Sequence, residues 1–288
     1  GDVYKRQHME WIDRFNQAID YIEEHLITEI NYEELAKITN CSRYHFQKIF
    51  LYMTSISLNE YIRKRRMSLA AVDLQDLKMR IVDIAFKYGY ESPTAFNRAF
   101  QSIHGIAPST LRKEGIELVA FPPLHFSFSI QGLEELHFRI ENKQSFQIIG
   151  KSFPLNKELS ENFLKIPKHW NQALADGTLK QLMEINNCMP TGLLGVSIHY
   201  HDDWRYFIAV SSTLSHPQFE EYTIDKAMWA VFSGQGSNKT LQDLERRVIT
   251  EWLPTSGYEY ADIPDIEVYI KADPQDAIYE YWLPIIKK

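Results

Sequence analysis

The chain has 288 residues, of which 44% are hydrophobic and 13% aromatic, so it can bury the cores of two domains. No apolar run approaches the ~18–20 residues that a membrane span requires, and no secretory signal pattern appears, so we expect a cytoplasmic protein without a membrane partner. The net charge of −7 would disfavour a nucleic-acid-binding protein, but this charge is divided unevenly. Residues 42–115 carry a net charge of +6 and residues 116–288 one of −8, so any nucleic-acid-binding surface is expected in the first part.

Residues 1–8 show no apolar periodicity, and the run from Val3 to Gln7 looks like translated vector sequence. We therefore interpret residues 1–8 as a non-native or disordered leader and expect the natural chain to start at Met9. From Trp11 onward apolar residues recur at helical spacing, which predicts a first helix over residues 9–26.

One helical pattern is written twice between residues 32 and 100. Each copy has an apolar pair, a turn with a serine, and two phenylalanines four residues apart: Leu35-Ala36, Ser42, Phe46 and Phe50, then Ile84-Ala85, Ser92, Phe96 and Phe100. Each copy predicts a short helix, a tight turn, and a second helix capped by its serine. Two helix-turn-helix units in tandem indicate a DNA-binding domain, which we assign to residues 9–115.

The second helix of each unit is the candidate recognition helix. In both, the phenylalanines form the core stripe, which leaves polar side chains to face outward, where they can bond base edges or phosphates. The expected outward residues are Arg43, Tyr44, Gln47 and Lys48 in the first unit and Pro93, Thr94, Asn97 and Arg98 in the second. A long helix over 58–77 joins the units, and its basic run includes Arg63, which we expect to contact a phosphate while its neighbours pair internally.

Several motifs in this region, in the right order and spacing, resemble the AraC/XylS DNA-binding domain. They are Phe-Gln-Lys-Ile-Phe at 46–50, Ile-Ala-Phe-Lys-Tyr-Gly-Tyr-Glu-Ser at 84–92, Phe-Asn-Arg-Ala-Phe at 96–100 and Gly-Ile-Ala-Pro-Ser at 105–109. The resemblance implies that Tyr44, Gln47 and Lys48 read one major groove and that the outward residues of the second helix lie in or beside the next. Pro93 departs from the polar residue that the family often has there.

Residues 116–288 have a different pattern. Residues 116–135 are interpreted as a linker or bridging segment. Beyond them, strand, helix, strand and strand follow one another twice, with the helices expected at 167–186 and 240–253. The fold class is therefore multi-domain: an all-α tandem helix-turn-helix domain followed by an α+β domain, residues 136–288, made of two similar halves.

Motifs in residues 136–288 resemble the GyrI-like effector-binding domain, and the order of the two domains resembles the Rob-like regulators. The motifs are Ile166–Trp170, Trp229–Phe232, Glu251–Pro254 with Ser256–Tyr258, and Glu280–Pro284. The resemblance implies a pocket between the two halves that takes up amphipathic, often cationic or aromatic, compounds. Glu280 alternates with Trp282 on one strand face, and a carboxylate near aromatic walls suits a lipophilic cation, although Glu280 could instead face solvent or pair with an Arg or Lys. Together with Glu280, the expected ligand-binding residues are Trp170, Tyr206, Trp229, Tyr258 and Trp282.

The leading interpretation is a sequence-specific, DNA-binding transcriptional regulator that senses a small molecule, with promoter DNA, the effector and RNA polymerase as partners. Two alternatives remain: a hydrolase of electrophiles, with Glu280 as general base beside Tyr258 or Tyr206, or a C-terminal domain that binds a protein. No catalytic triad, cofactor motif or metal site is expected. The run from His199 to Asp203 could ligate a metal, but its place at a predicted hairpin turn favours solvated polar residues.

Overall fold

The computed structural model describes the chain except residues 1, 113–115, 117–118, 128–134, 201–202, 274 and 288. Its contacts divide the chain into two units. The helical unit contains residues 9–39 and 56–129, and the sheet unit contains residues 2–8, 40–55 and those from 135 onward. This division differs from the domain boundaries expected from sequence, because the first candidate recognition helix groups with the C-terminal residues.

In the part of the helical unit that the structure describes there are six helices, the first of which begins in residues 2–8. They are α1 (Asp2–Glu24), α2 (Tyr32–Thr39), α4 (Leu58–Asp73), α5 (Ile81–Lys87), α6 (Pro93–His104) and α7 (Pro108–Leu111). Residues 2–8 were expected to lie outside the fold, but the backbone of α1 is helical from Asp2. This extension is explained by the cooperativity of helices, since a helix once nucleated gains one hydrogen bond for each added residue. Helix α4 ends four residues before the expected Leu77.

The second helix-turn-helix follows its sequence pattern closely. Ser92 caps α6 by accepting a hydrogen bond from the amide of Ala95, and Gly105 ends the helix at a φ of 72°, which favours glycine. Phe96 and Phe100 are completely buried in a cluster with residues of α4, α5 and α7. The core stripe of α6 therefore faces inward, as the sequence predicts.

In the sheet unit, α3 (Arg43–Thr54) precedes an antiparallel sheet whose strands are β1 (Phe138–Lys143), β2 (Phe146–Pro154), β3 (Leu193–Tyr200), β4 (Asp203–Ser211), β5 (Glu220–Ile224), β6 (Ala227–Gly236), β7 (Tyr258–Tyr260), β8 (Ile266–Lys271) and β9 (Ala277–Lys287). The helices are α8 (Leu159–Ala175), α9 (Thr178–Ile185), α10 (Asn238–Arg247) with a π-helical turn (Val248–Trp252), and α11 (Leu253–Thr255). The expected single helix over 167–186 is two helices, because Gly177 adopts a φ of 80° between them. The α+β class and the repeated strand–helix–strand–strand order are confirmed.

The sheet curls upon itself. Its strand order is β1-β6-β9-β8-β3-β4-β2-β5, so β6 and β5 lie near opposite ends, yet only Asp225 and Lys226 join them. The two ends must therefore lie close together. An apolar cluster containing Trp229 and Trp282 fills the inner face, and a second cluster with α8 and α9 covers the other face, which we call the helix face. Among the described residues, no helix is long and apolar enough to cross a membrane.

Candidate functional site

A carboxyl group with aromatic partners lies on the helix face of the sheet. Glu267 of β8 is half-buried, and its Oε2 accepts hydrogen bonds from the hydroxyls of Tyr206 at 3.0 Å and Tyr269 at 2.9 Å. Burial, and next the negative charge of Glu245, raises the pKa of Glu267 to about 8. At neutral pH this carboxyl is therefore mostly protonated.

Trp170 of α8 completes this group. Its indole Nε1 donates to the Tyr206 hydroxyl at 3.0 Å, and its ring lies 5.0 Å from that of Tyr269. Gly195 of β3 stands opposite Glu267, and a Cβ at that position would lie 2.1 Å from the Tyr206 hydroxyl. A glycine is therefore required at 195 to leave room for the tyrosine and the carboxyl group. We call Trp170, Tyr206, Glu267 and Tyr269 the Glu267 site.

The residues expected to bind a ligand do not form one site. Trp170 and Tyr206 belong to the Glu267 site, whereas Glu280, Trp282 and Trp229 lie on the inner face of the sheet. The carboxylate of Glu280 is paired with Arg139 of β1 at 2.8 Å and accepts from Trp282 Nε1 at 2.8 Å. The chain itself therefore supplies a cation to Glu280, the alternative left open from sequence, and ligand binding by Glu280 stays a prediction.

Tyr258 lies elsewhere again. It belongs to β7, and its ring stacks on Trp252 with centroids 6.1 Å apart.

The sequence did not single out Glu267, although it carried a signal. In the run Ile266-Glu267-Val268-Tyr269 the apolar residues alternate with an acid and a tyrosine, the same pattern that drew attention to Glu280.

The first candidate recognition helix, α3, has its predicted DNA-contacting residues buried. Ser42 caps α3, and Phe46 and Phe50 are completely buried, as expected. However, Tyr44, Gln47 and Lys48 are only 5–8% exposed, so the expectation that they face outward is wrong in this structure. Helical periodicity located the inner stripe of α3 but carried no information about a second partner on its other face.

Lys48 is held by two carboxylates of the sheet unit. Its Nζ lies 2.6 Å from Asp265 and 3.5 Å from Glu245, and it lies over the rings of Tyr52 and Tyr281. Burial opposes the charge, but the two carboxylates hold the pKa of Lys48 well above its usual range. In turn, although burial opposes it, Lys48 above all lowers the pKa of Asp265 to about 2, so this pair is fully ionised.

An aromatic stack accompanies this ion pair. The ring of Tyr44 stacks on His199 at 4.5 Å, His45 stacks on Tyr260 at 3.8 Å, and Arg43 lies 5.7 Å above Trp204. His199 was expected to be a solvated turn residue and is instead half-buried. His201 and Asp202 lie outside the described residues, and the described residues contain no group of acids, histidines and cysteines that could hold a metal.

The polar residues of the second recognition helix are exposed. Pro93, Thr94, Asn97 and Arg98 of α6 all face solvent, as the sequence predicts. In the basic run of α4, Arg65 pairs with Glu23 at 2.7 Å and Arg66 donates to the carbonyl of Leu26, while Arg63 is exposed. The surface of α6 with Arg63 is thus the exposed part of the candidate DNA-binding surface.

Comparison with known proteins identifies both regions. The family described as GyrI-like small molecule binding domain matches residues 137–286, and a helix-turn-helix domain matches residues 35–114. The HTH-type transcriptional activator AarP of Providencia stuartii is 31% identical over 110 residues, which cover 38% of this chain and 82% of the relative. The regulatory protein SoxS of Salmonella typhimurium is 38% identical over 94 residues, 33% of this chain and 88% of the relative.

Among solved structures, that of SAV2435 bound to tetraphenylphosphonium is similar with a TM-score of 0.45 and 19% identity, covering 52% of this chain and 94% of that chain. The GyrI-like match spans more than half of the present chain, and the AarP match spans most of that relative. The chain therefore belongs to the GyrI-like family and to the AraC-type helix-turn-helix regulators: it is a DNA-binding transcriptional regulator with a small-molecule-binding domain.

Proposed function

We propose that the effector of this regulator is a lipophilic cation and that it binds at the Glu267 site. The observation that carries the proposal is a carboxyl group enclosed by aromatic side chains, with its pKa raised to about 8. A carboxylate that is costly to ionise is stabilised when a cation arrives, and aromatic faces add about 0.5–2 kcal/mol for each cation–π contact. Trp170, Glu267 and Tyr269 are each only partly buried, so a ligand can reach part of their surface.

The protonation of Glu267 gives this proposal a pH dependence. A bound cation favours the ionised carboxylate, so binding releases a proton when it begins from the protonated form. The affinity for a cation should therefore rise between about pH 6 and 8 and level off above the pKa of the free site, which is about 8. A neutral aromatic compound should show no such rise.

The test is calorimetric titration of the full chain with tetraphenylphosphonium, a permanent lipophilic cation, alongside tryptophan fluorescence. We expect saturable binding that weakens by about ten-fold or more in Glu267→Gln, since a charge pair in a partly dry site contributes more than ~1.4 kcal/mol. Glu280→Gln is the matched control, because it removes a carboxylate that is already paired with Arg139. Equal weakening in both variants, or none in Glu267→Gln, would contradict the assignment.

We further propose that Arg98, Asn97, Thr94 and Pro93 of α6, together with Arg63, face DNA, and that Arg43, Tyr44, Gln47 and Lys48 do so when α3 is not buried. The exposure of the α6 residues supports the first part. A duplex selected from a random pool by the full chain provides the probe for a shift assay. Arg98→Ala should weaken binding to this duplex by about 1–3 kcal/mol and relax its sequence preference, whereas Arg63→Ala should weaken all duplexes alike and reduce the salt dependence.

The same geometry allows a second function, which an assay for product formation tests. Glu267 lies 3.0 Å from the Tyr206 hydroxyl and has a pKa near neutrality, which would suit a general base acting on an electrophile. We propose sensing and not turnover, because the relatives are transcription regulators. As a transcription regulator, the chain would then act in the cytoplasm and contact RNA polymerase. A new product from an electrophilic compound, absent with Glu267→Gln, would favour the hydrolase.

A further inference from the structure

The ammonium group of Lys48 occupies a site with the chemistry of a cation receptor. It lies against the carboxylates of Asp265 and Glu245, and over the faces of Tyr52 and Tyr281, with all three charged groups nearly inaccessible. Carboxylates combined with aromatic faces are the groups that would bind a free lipophilic cation. Here the cation comes from a helix whose sequence resembles a DNA-reading helix.

Glu245 connects this site to the Glu267 site. Its carboxylate accepts a hydrogen bond from Tyr52 of α3 and lies 3.5 Å from Lys48, and its charge is one of the causes that raise the pKa of Glu267. We call Glu245, Asp265 and Glu267 the acidic cluster, since Lys48 acts on all three; among the described residues it is the ammonium group that pairs with the first two. One ammonium cannot offset three carboxylates, which is consistent with Glu267 holding a proton.

Helix α3 also lies across the elements that flank the Glu267 site. The ring of Tyr52 is 6.3 Å from that of Phe163 on α8, the helix that also carries Trp170, and the Tyr52 hydroxyl bonds Glu245 on α10. Trp170 of α8 contacts Tyr206 and Tyr269, the hydrogen-bond partners of Glu267, and Glu245 of α10 acts on Glu267 through its charge. A ligand that enters between α8 and α10 would meet α3.

The docking of α3 is suited to being reversible. A buried ion pair contributes little net stability, because removing both charges from water costs nearly as much as their attraction returns. Released from Asp265 and Glu245, Lys48 regains water, while an incoming cation can take its place beside the carboxylates. The same release exposes Tyr44 and Gln47, which are buried in the docked state.

We propose that α3 is a tethered ligand of the C-terminal domain, which a lipophilic cation displaces, so that one event fills the acidic cluster and frees the first recognition helix for DNA. This inference rests on the proposed function, since it requires that a cation bind at the Glu267 site. The docked chain is the autoinhibited form, with only the second recognition helix presenting its polar face to solvent.

The test measures hydrogen exchange of the α3 backbone amides in the full chain, with the α6 amides as internal reference. Without ligand we expect slow exchange in α3, and with saturating tetraphenylphosphonium an acceleration of at least about ten-fold. Asp265→Asn should exchange rapidly without ligand and bind tetraphenylphosphonium more tightly than the natural chain. Glu267→Gln should keep α3 protected and should not respond.

The outcomes separate the two proposals. Calorimetric binding to the natural chain with unchanged α3 exchange would overturn the tethered-ligand inference and leave the cation sensor standing. Absence of binding to both the natural chain and Asp265→Asn would overturn both proposals.

A covalent lock provides a second measurement in case Asp265→Asn fails to fold. Leu51→Cys of α3 and Leu159→Cys of α8, two residues of one apolar cluster, are bridged with a short bismaleimide in a chain whose Cys41 and Cys188 are serine. The bridged chain should lose tetraphenylphosphonium binding and the unbridged double variant should retain it. Equal affinity in the two forms would refute displacement.

Discussion

Helices α3 and α6 are two copies of one pattern in different surroundings. Each is capped by a serine, and in each a pair of phenylalanines is completely buried. Their other faces differ: α6 presents Thr94, Asn97 and Arg98 to solvent, whereas Tyr44, Gln47 and Lys48 of α3 are buried within the sheet unit. The repeated pattern therefore predicts the buried phenylalanine face of each helix, while the residues on the opposite face decide whether that face is covered as well.

The composition of the two opposite faces explains this difference. In α3 that face carries Tyr44, His45 and Tyr52, whose flat rings stack on His199, on Tyr260 and beside Phe163. In α6 it carries small polar groups and one arginine, which lose little by remaining in water. The aromatic residues give α3 apolar area to bury, and Lys48 gives it a specific charge partner.

The largest expected effect is the loss of stability when a buried phenylalanine is removed. It tests whether the inner faces of α3 and α6 are equivalent. Phe50→Ala and Phe100→Ala should each lower the free energy of unfolding by about 3–5 kcal/mol, because each removes a completely buried ring and leaves a cavity. Urea denaturation followed by circular dichroism measures both. A cost below about 1 kcal/mol for one of them would show that the two copies do not share the same kind of core.

The next largest effect compares the outer faces of α3 and α6 through the stability lost when one basic residue is removed from each. Lys48→Ala leaves the buried carboxylate of Asp265 without its cation and should cost about 3 kcal/mol in unfolding free energy. Arg98→Ala, on the exposed face of α6, should change the same quantity by less than about 0.5 kcal/mol.

A double replacement provides the control for Lys48. Lys48→Met with Asp265→Leu removes both charges and should recover most of the lost stability, because apolar residues often replace a buried pair without loss. If Arg98→Ala proves as costly as Lys48→Ala, the contrast between the two faces does not hold.

The outcome for these helices shows what sequence could predict. The spacing of Phe46, Phe50, Phe96 and Phe100 was enough to locate both helices and their inner stripes, because helical periodicity reports directly on the face that is buried. It could not predict the burial of Lys48, since the partners Glu245 and Asp265 lie about two hundred residues away and are brought near only by the fold.

The expected ligand-binding residues show the same contrast between local patterns, which the sequence predicts, and partners that only the fold brings near. Strand alternation correctly placed Glu280 and Trp282 on one face, but alternation does not say which face of a sheet holds a site. Arg139, which pairs with Glu280, comes from β1, separated from β9 in the sheet by β6. The orientation of Glu267 towards Tyr206 depends on the register of β8 against β3, where Gly195 leaves the necessary space.

The serine caps give a smaller contrast between the helices. Ser92→Ala should cost about 1 kcal/mol, because it removes one hydrogen bond to the amide of Ala95. Ser42→Ala should cost about 2 kcal/mol, because the Ser42 hydroxyl bonds the amide of His45 and also lies 3.1 Å from its ring Nδ1. Thermal denaturation compares the two variants, with Ser102→Ala on an exposed turn of α6 as control. Equal losses would mean that the His45 ring contact contributes nothing.

The smallest effect is a pH dependence that should be stronger for α3 than for α6. Burial, and then the neighbouring His199, holds the pKa of His45 well below its usual value, and burial also lowers that of His199. The groups facing these rings are Lys48, Asp265, Asp262, Tyr44, Tyr260 and Ser42. His45 Nε2 is buried without a hydrogen-bond partner among the described residues, so a proton there would lack an acceptor.

Because these pKa values are depressed in the docked state, docking is fully favoured above the ordinary histidine pKa of about 6.5 and weakens as the pH falls below it. Exchange of α3 amides, corrected for intrinsic rates, should therefore accelerate between about pH 7 and 5. Helix α6 has only His104, whose ring bonds the carbonyl of Met67 and whose pKa is also lowered by burial, so its amides should respond less. His45→Gln should reduce the response of α3, because it removes a titrating group that loses its solvation on docking. An undiminished response in that variant would assign the pH dependence to His199 or to the acidic cluster, and the aromatic stack of α3 would then act only through packing.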